Sequence, residues 1–173
     1  MATRRARQFL FFVLAFGAGA SIVPGPGNAG ELVAFDGRVP NGTIVVRTTE
    51  RKLYFVVAEG QALRYTVGVG RAGRQWTGST AIEGMFIRPN WAPPLAVRLD
   101  NPSLPEVISG DSPRNPMGEA ALTLTGGEYA IHGTNVPGSI GGFVSYGCIR
   151  MYNEDILDLY SRVSVGAVVL VQE

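Results

Sequence analysis

The chain has 173 residues, 46% apolar and 17% charged, which suits one globular domain with a real core and leaves little room for a second. Its 15 basic and 14 acidic residues are near balance, which argues against a nucleic-acid partner, since that surface needs clustered excess Lys and Arg. A single cysteine excludes an internal disulfide, so an exported form would carry a free thiol into an oxidising space.

Arg4, Arg5 and Arg7 precede an apolar run from Phe9 to Ala20, which ends in the small-x-small pattern Ala18-Gly19-Ala20. At 12 residues the run is short of the roughly 18 or more a membrane-spanning helix needs. It reads as a signal peptide over 1–20, with cleavage as late as Ala29, and no stable membrane span is expected in the mature chain. Without residues 1–20 the count becomes 12 basic against 14 acidic. Residues 21–30 are rich in Pro and Gly and read as a short linker, so the folded domain is expected over 31–173.

Short β-branched or aromatic runs follow at Leu32–Phe35, Thr43–Arg47, Leu53–Val57 and Leu63–Val67, each expected to form a strand. Asn41-Gly42 marks a tight turn, and Glu59-Gly60 the tip of a hairpin between the third and fourth runs. Arg74 to Pro116 lacks periodicity and is rich in Pro, Gly, Trp and Asn, which predicts long functional loops. Further strands are predicted at Ala121–Thr125, Tyr129–His132 and Val165–Gln172. Between the last two, Asn153–Tyr160 places Ile156, Leu159 and Tyr160 at i, i+3 and i+4 behind Asn153 as N-cap, the pattern of a helix. The fold class is therefore mainly β, a sandwich or compact barrel with one short helix after the Cys148 segment.

The only histidine, His132, and the only cysteine, Cys148, lie 16 positions apart. An ordinary thiol, with a pKa of about 8.5, is only a few per cent thiolate at neutral pH, so an imidazole that accepts its proton makes it a usable nucleophile. Gly133, Gly138, Gly141 and Gly142 allow the connection to fold back tightly. The backbone N–H groups of Tyr146, Gly147 and Cys148 are candidate donors to a carbonyl oxygen gaining negative charge. Composition alone leaves a second reading open, because a free cysteine is also a common small core residue. A zinc peptidase would need about three ligands, and there is no HExxH or HxH pattern, so neither metal nor cofactor is expected. A serine enzyme of the Ser-x-x-Lys type is not supplied, since Thr49 stands three places before the only lysine, Lys52.

The stretch His132-Gly133-Thr134 … Ser145-Tyr146-Gly147-Cys148-Ile149-Arg150-Met151 resembles the signature of the L,D-transpeptidase catalytic domain, the YkuD-type family. That pattern is a His, a spacer, then Ser/Thr-His-Gly-Cys and an apolar residue before Arg or Asn. The similarity runs over roughly 31–172, with Asn115-Pro116-Met117-Gly118 ahead of the His strand and Asn153-Glu154-Asp155 after the Cys. Two departures stand out: Tyr146 replaces a second histidine, and Gln75–Thr80 replaces a more usual Thr-Pro-x-Gly.

The resemblance implies an L,D-transpeptidase-like β-sandwich and an exported or periplasmic enzyme, expected to be a monomer, acting on peptidoglycan stem peptides. It implies Cys148 as nucleophile, His132 as proton acceptor and donor, and the Gly133 carbonyl as the group orienting the imidazole. A stem amine as acceptor gives a 3–3 cross-link, and water gives an L,D-carboxypeptidase. Arg150 is expected either to meet a substrate carboxylate or to hold the Cys loop, Ser145 either to meet substrate or to bond the loop backbone, and Trp91 and Tyr129 to line the cleft. The rival from another class is a non-catalytic wall-binding β domain with an inert thiol.

Overall fold

The computed structural model describes residues 30–127 and 129–173; the expected leader lies outside the described residues, as does all of the expected linker except Gly30. Three strands, β2 (Ile44–Arg47), β3 (Lys52–Ala58) and β4 (Gln61–Thr66), form an antiparallel meander, and β1 (Glu31–Ala34) pairs with β4 at its outer edge. The Glu59-Gly60 tip closes the β3–β4 hairpin as predicted, with Gly60 at φ 72°. Gly42, at φ 84°, makes the tight turn that leads into β2.

Alternation along these strands decides which face each side chain joins. Ile44, Val46, Leu53 and Phe55 enter the main core, while Val45, Tyr54 and Val56 enter a smaller cluster with Phe35 on the opposite face. A one-residue slip of register would exchange the two sets, so burial on both faces pins the pairing.

The terminal strand β11 (Val168–Gln172) pairs parallel to β2 and antiparallel to β6 (Gly78–Ile87), continuing the sheet toward the other half of the chain. There β7 (Ala120–Leu124), β8 (Ala130–His132) and β10 (Ile149–Arg150) follow, completing a nine-stranded order β1-β4-β3-β2-β11-β6-β7-β8-β10. The remaining strands, β5 (Val69–Gly70) and β9 (Phe143–Ser145), form a small parallel pair.

β6 is the corner. Gly78–Ala81 pair with β11, whereas Ile82–Ile87 pair with β7, with a register shift between Ile82 and Gly84. Such a shift bends a strand and lets it serve two layers. The two halves thereby enclose one core, in which Ile44, Leu53 and Phe55 join Leu122, Ile131 and Ile149.

The predicted helix is α2 (Asn153–Arg162), which packs Ile156 and Leu159, both fully buried, toward β7 and β8. Asn153 does not act as its cap; Tyr152 holds that position without a side-chain hydrogen bond. The Asn153 side chain instead accepts from the backbone N–H groups of Glu119 (3.2 Å) and Thr134 (3.0 Å) and donates to the Thr134 carbonyl (3.1 Å). Three bonds to otherwise unpaired backbone outweigh one cap bond.

The segment Arg74–Pro116, expected as loops, holds the ten-residue β6 and a second helix, α1 (Leu95–Asp100). Both were hidden for a physical reason. β6 buries only Ile82 and changes partners halfway, and α1, six residues long, buries none, so neither carries a period of buried positions.

Candidate active site

His132 ends β8, and β10 runs parallel beside it with Arg150 opposite His132 and Ile149 opposite Ile131. This pairing carries Cys148, one residue before β10, to the same side as the start of β8. Arg150 exchanges backbone hydrogen bonds with Gly68, and the Met151 N–H donates to the His132 carbonyl, which locks the cysteine segment from both sides. The expected side chains Cys148, His132, Arg150, Ser145, Tyr146, Tyr129 and Trp91 all line one cleft of about 780 Å³.

His132 is 4% exposed, and its Nδ1–H donates to the Gly133 carbonyl at 2.7 Å, leaving Nε2 with a free lone pair to accept a proton. Burial, reinforced by the Arg150 charge, pulls the imidazole pKa from 6.5 down to about 4, against the opposing carbonyls of Gly133 and Pro116. Burial pushes the Cys148 thiol up, partly offset by a backbone hydrogen bond from Ala130 and by Arg150. At neutral pH both side chains are therefore uncharged, thiol and imidazole, so any reaction of the sulfur as a nucleophile would need its proton removed as it attacks.

Arg150 is partly buried, and desolvation lowers its pKa. Its Nε is buried without a hydrogen-bond partner among the described residues. An unsatisfied buried donor costs about 1–3 kcal/mol.

Ser145 is 1% exposed; its hydroxyl donates to the Cys148 carbonyl (2.5 Å) and accepts from the Gly147 N–H (3.1 Å). The hydroxyl proton is therefore committed to bracing the loop and not free for substrate. The same bond occupies the Gly147 N–H, which leaves the Tyr146 and Cys148 N–H groups as the unengaged donors of this turn among the described residues.

Several contributors escaped sequence reasoning. The Tyr146 phenol donates to Asp100 Oδ2 (2.5 Å) at the end of α1, and Arg71 donates to the same carboxylate (2.7 Å) while its guanidinium sits 4.1 Å over the Tyr146 ring. The residue replacing the second histidine thus ties α1 to the cysteine loop. Leu95 and Leu99, exposed on α1, form one wall of the cleft. Trp76 donates its indole N–H to the Gly147 carbonyl (2.9 Å) and stacks on Tyr129 at 5.0 Å. The only sequence signal for Trp76 was its place in the segment that departs from the family pattern. No cluster of three or more His, Cys, Asp or Glu that could hold a metal occurs among the described residues.

The family model for the L,D-transpeptidase catalytic domain matches residues 41–171. A probable L,D-transpeptidase, ErfK/SrfK of Escherichia coli K12, is 38% identical over 132 residues; the match covers 71% of this chain and 41% of that protein. Among solved structures, an L,D-transpeptidase from Mycobacterium smegmatis aligns with TM-score 0.61 at 20% identity, covering 76% of this chain and 58% of the other, a likeness of fold. A Brucella melitensis protein solved as a probable carnitine operon oxidoreductase is 36% identical, with TM-score 0.56 and coverage of 83% and 92%. With the family model spanning most of the chain, and the motif it rests on gathered around one cleft, the chain belongs to the L,D-transpeptidase catalytic domain family.

Proposed function

We propose that this chain is an exported peptidoglycan L,D-transpeptidase, with residues 1–20 as its leader, 21–30 as linker and 31–173 as its catalytic domain. One observation carries the reading: Cys148 and His132 line one cleft, with the Gly133 carbonyl holding Nδ1–H so that Nε2 is free. The Cys148 sulfur attacks the carbonyl at the L centre of the diamino acid in a stem tetrapeptide. His132 takes the thiol proton and returns it to the departing D-alanine amine, leaving a thioester on Cys148. The charge that develops on the carbonyl oxygen is met by the backbone N–H groups of Tyr146 and Cys148. An amine of a neighbouring stem then attacks the thioester, restoring the thiol and forming a 3–3 cross-link.

Arg150 supports recognition of an anionic substrate, because it lines the cleft and is the cation whose charge acts on both His132 and Cys148. Trp91, Tyr129 and the leucines of α1 supply apolar walls. Among the described residues no helix is long and apolar enough to cross a membrane.

The test is incubation of the leaderless chain with disaccharide-tetrapeptides, alongside Cys148→Ala and His132→Ala, with products read by mass spectrometry. Loss of D-alanine with dimer formation, abolished in both variants, is expected. Loss without dimers makes it a carboxypeptidase. No turnover, with Cys148 inert to thiol reagents, leaves a wall-binding domain.

A further inference from the structure

The turn that carries Cys148 is held by the connection from Arg71 to Thr77 between β5 and β6, part of which departs from the family pattern. Its two ends grip two carbonyls. The Arg71 backbone N–H donates to the Ser145 carbonyl at 2.9 Å, and the Trp76 indole N–H donates to the Gly147 carbonyl at 2.9 Å. In a trans peptide the C=O and the following N–H point in opposite directions, and no cis peptide occurs among the described residues. Pinning the Ser145 carbonyl toward Arg71 therefore turns the Tyr146 N–H away from it. Pinning the Gly147 carbonyl toward Trp76 turns the Cys148 N–H away from Trp76.

Those two N–H groups are the unengaged donors of the turn. Trp76 does not line the cleft, whereas Tyr146 and Cys148 do. Gly147 itself has no latitude: at φ 126°, with the Tyr129 ring where any Cβ would sit, the residue admits only glycine, and Tyr129 is in turn stacked flat on Trp76 at an interplanar angle of 8°. The ring pair and the indole hydrogen bond together clamp one peptide plane.

We propose that Trp76 is a positioning residue for acyl transfer, its indole N–H fixing the Gly147–Cys148 peptide so that the Cys148 N–H is aimed at the oxygen of the carbonyl under attack. The inference rests on the reading of Cys148 as an acylated nucleophile. Removing a backbone or side-chain donor from such a site costs about 10²–10³ in rate, and misaiming one through the loss of its tether costs less, roughly tenfold or more. Because the indole does not line the cleft, KM should hold while kcat falls.

Two reactions at the same sulfur isolate the effect. Acylation by p-nitrophenyl acetate forms the C–S bond, sends the carbonyl π pair onto oxygen, expels p-nitrophenolate and passes the thiol proton to His132. Alkylation by iodoacetamide displaces iodide from an sp³ carbon and develops no oxyanion. Trp76→Phe keeps a smaller ring against Tyr129 and removes the donor. The expected result is acylation slowed at least roughly tenfold, with alkylation unchanged within about twofold. Acylation at the wild-type rate overturns the proposal, as does a parallel fall in both rates, which marks a displaced cysteine. A wild type acylated no faster than Cys148→Ala overturns it too. Wild-type turnover of the tetrapeptide, measured on the same preparation, tells independently whether the proposed function stands. If Trp76→Phe does not fold, site-specific benzothienylalanine at position 76, which replaces N–H by sulfur in a ring of the same shape, takes its place with the same two rates.

Discussion

His132 is held uncharged inside the protein, and this couples folding to pH through one residue whose contribution is separable because the chain has no other histidine. In the unfolded chain the imidazole titrates at its ordinary 6.5, and in the folded protein at about 4. Between those values the unfolded state binds more protons than the folded one, so stability falls as pH falls. The contribution is complete above about 6.5 and is lost progressively down to about 4. At about 1.4 kcal/mol per pH unit the whole interval is worth about 3 kcal/mol. Urea denaturation of the wild type and of His132→Gln, from roughly pH 7.5 to 4, measures it, since glutamine does not titrate and the other groups cancel in the difference. The stability advantage of the wild type over the variant should shrink by about 3 kcal/mol across that range. A difference that stays flat, or grows toward acid pH, would refute the argument that burial holds this imidazole neutral. The same property places the acid limb of the pH–rate profile near 4 and not near 6.5.

Asp155 runs the other way: burial, with help from Glu154 and Asp158, raises its carboxyl pKa from 3.8 to about 6, so its charged form is disfavoured in the fold at neutral pH. Discounted for partial solvent screening, Asp155→Asn should stabilise the protein by about 1 kcal/mol at neutral pH, and the gain should vanish below about pH 4, as thermal melts at the two pH values would register. Asn153→Ala strips partners from the Glu119 N–H and from both backbone groups of Thr134, and should cost about 2–3 kcal/mol in chemical denaturation. Tyr146→Phe removes the phenol that anchors Asp100. Because α1 buries no residue, that loss should speed trypsin cleavage after Arg98 while leaving the global unfolding transition in place.

The sequence by itself determined the fold class, the strands β1 to β4, β7, β8 and β11, the helix after the cysteine, and the choice of His132 and Cys148 as the candidate pair. These were legible because burial on a strand or helix face leaves a period, and because a chain with one histidine and one cysteine offers a single pairing for this chemistry. The tertiary structure alone decided the features whose partners are distant in the chain. β6 carries no clear alternation because it changes partners midway, and α1 is six residues long with Leu95 and Leu99 turned to the cleft and not to the core, too short a run to read as a helix. Asn153 looked like a cap until its side chain found three backbone groups on two other segments. Trp76 reaches across 71 positions to the Gly147 carbonyl. A local pattern records what a residue does for its own element; a hydrogen bond between distant segments exists only once the chain has folded.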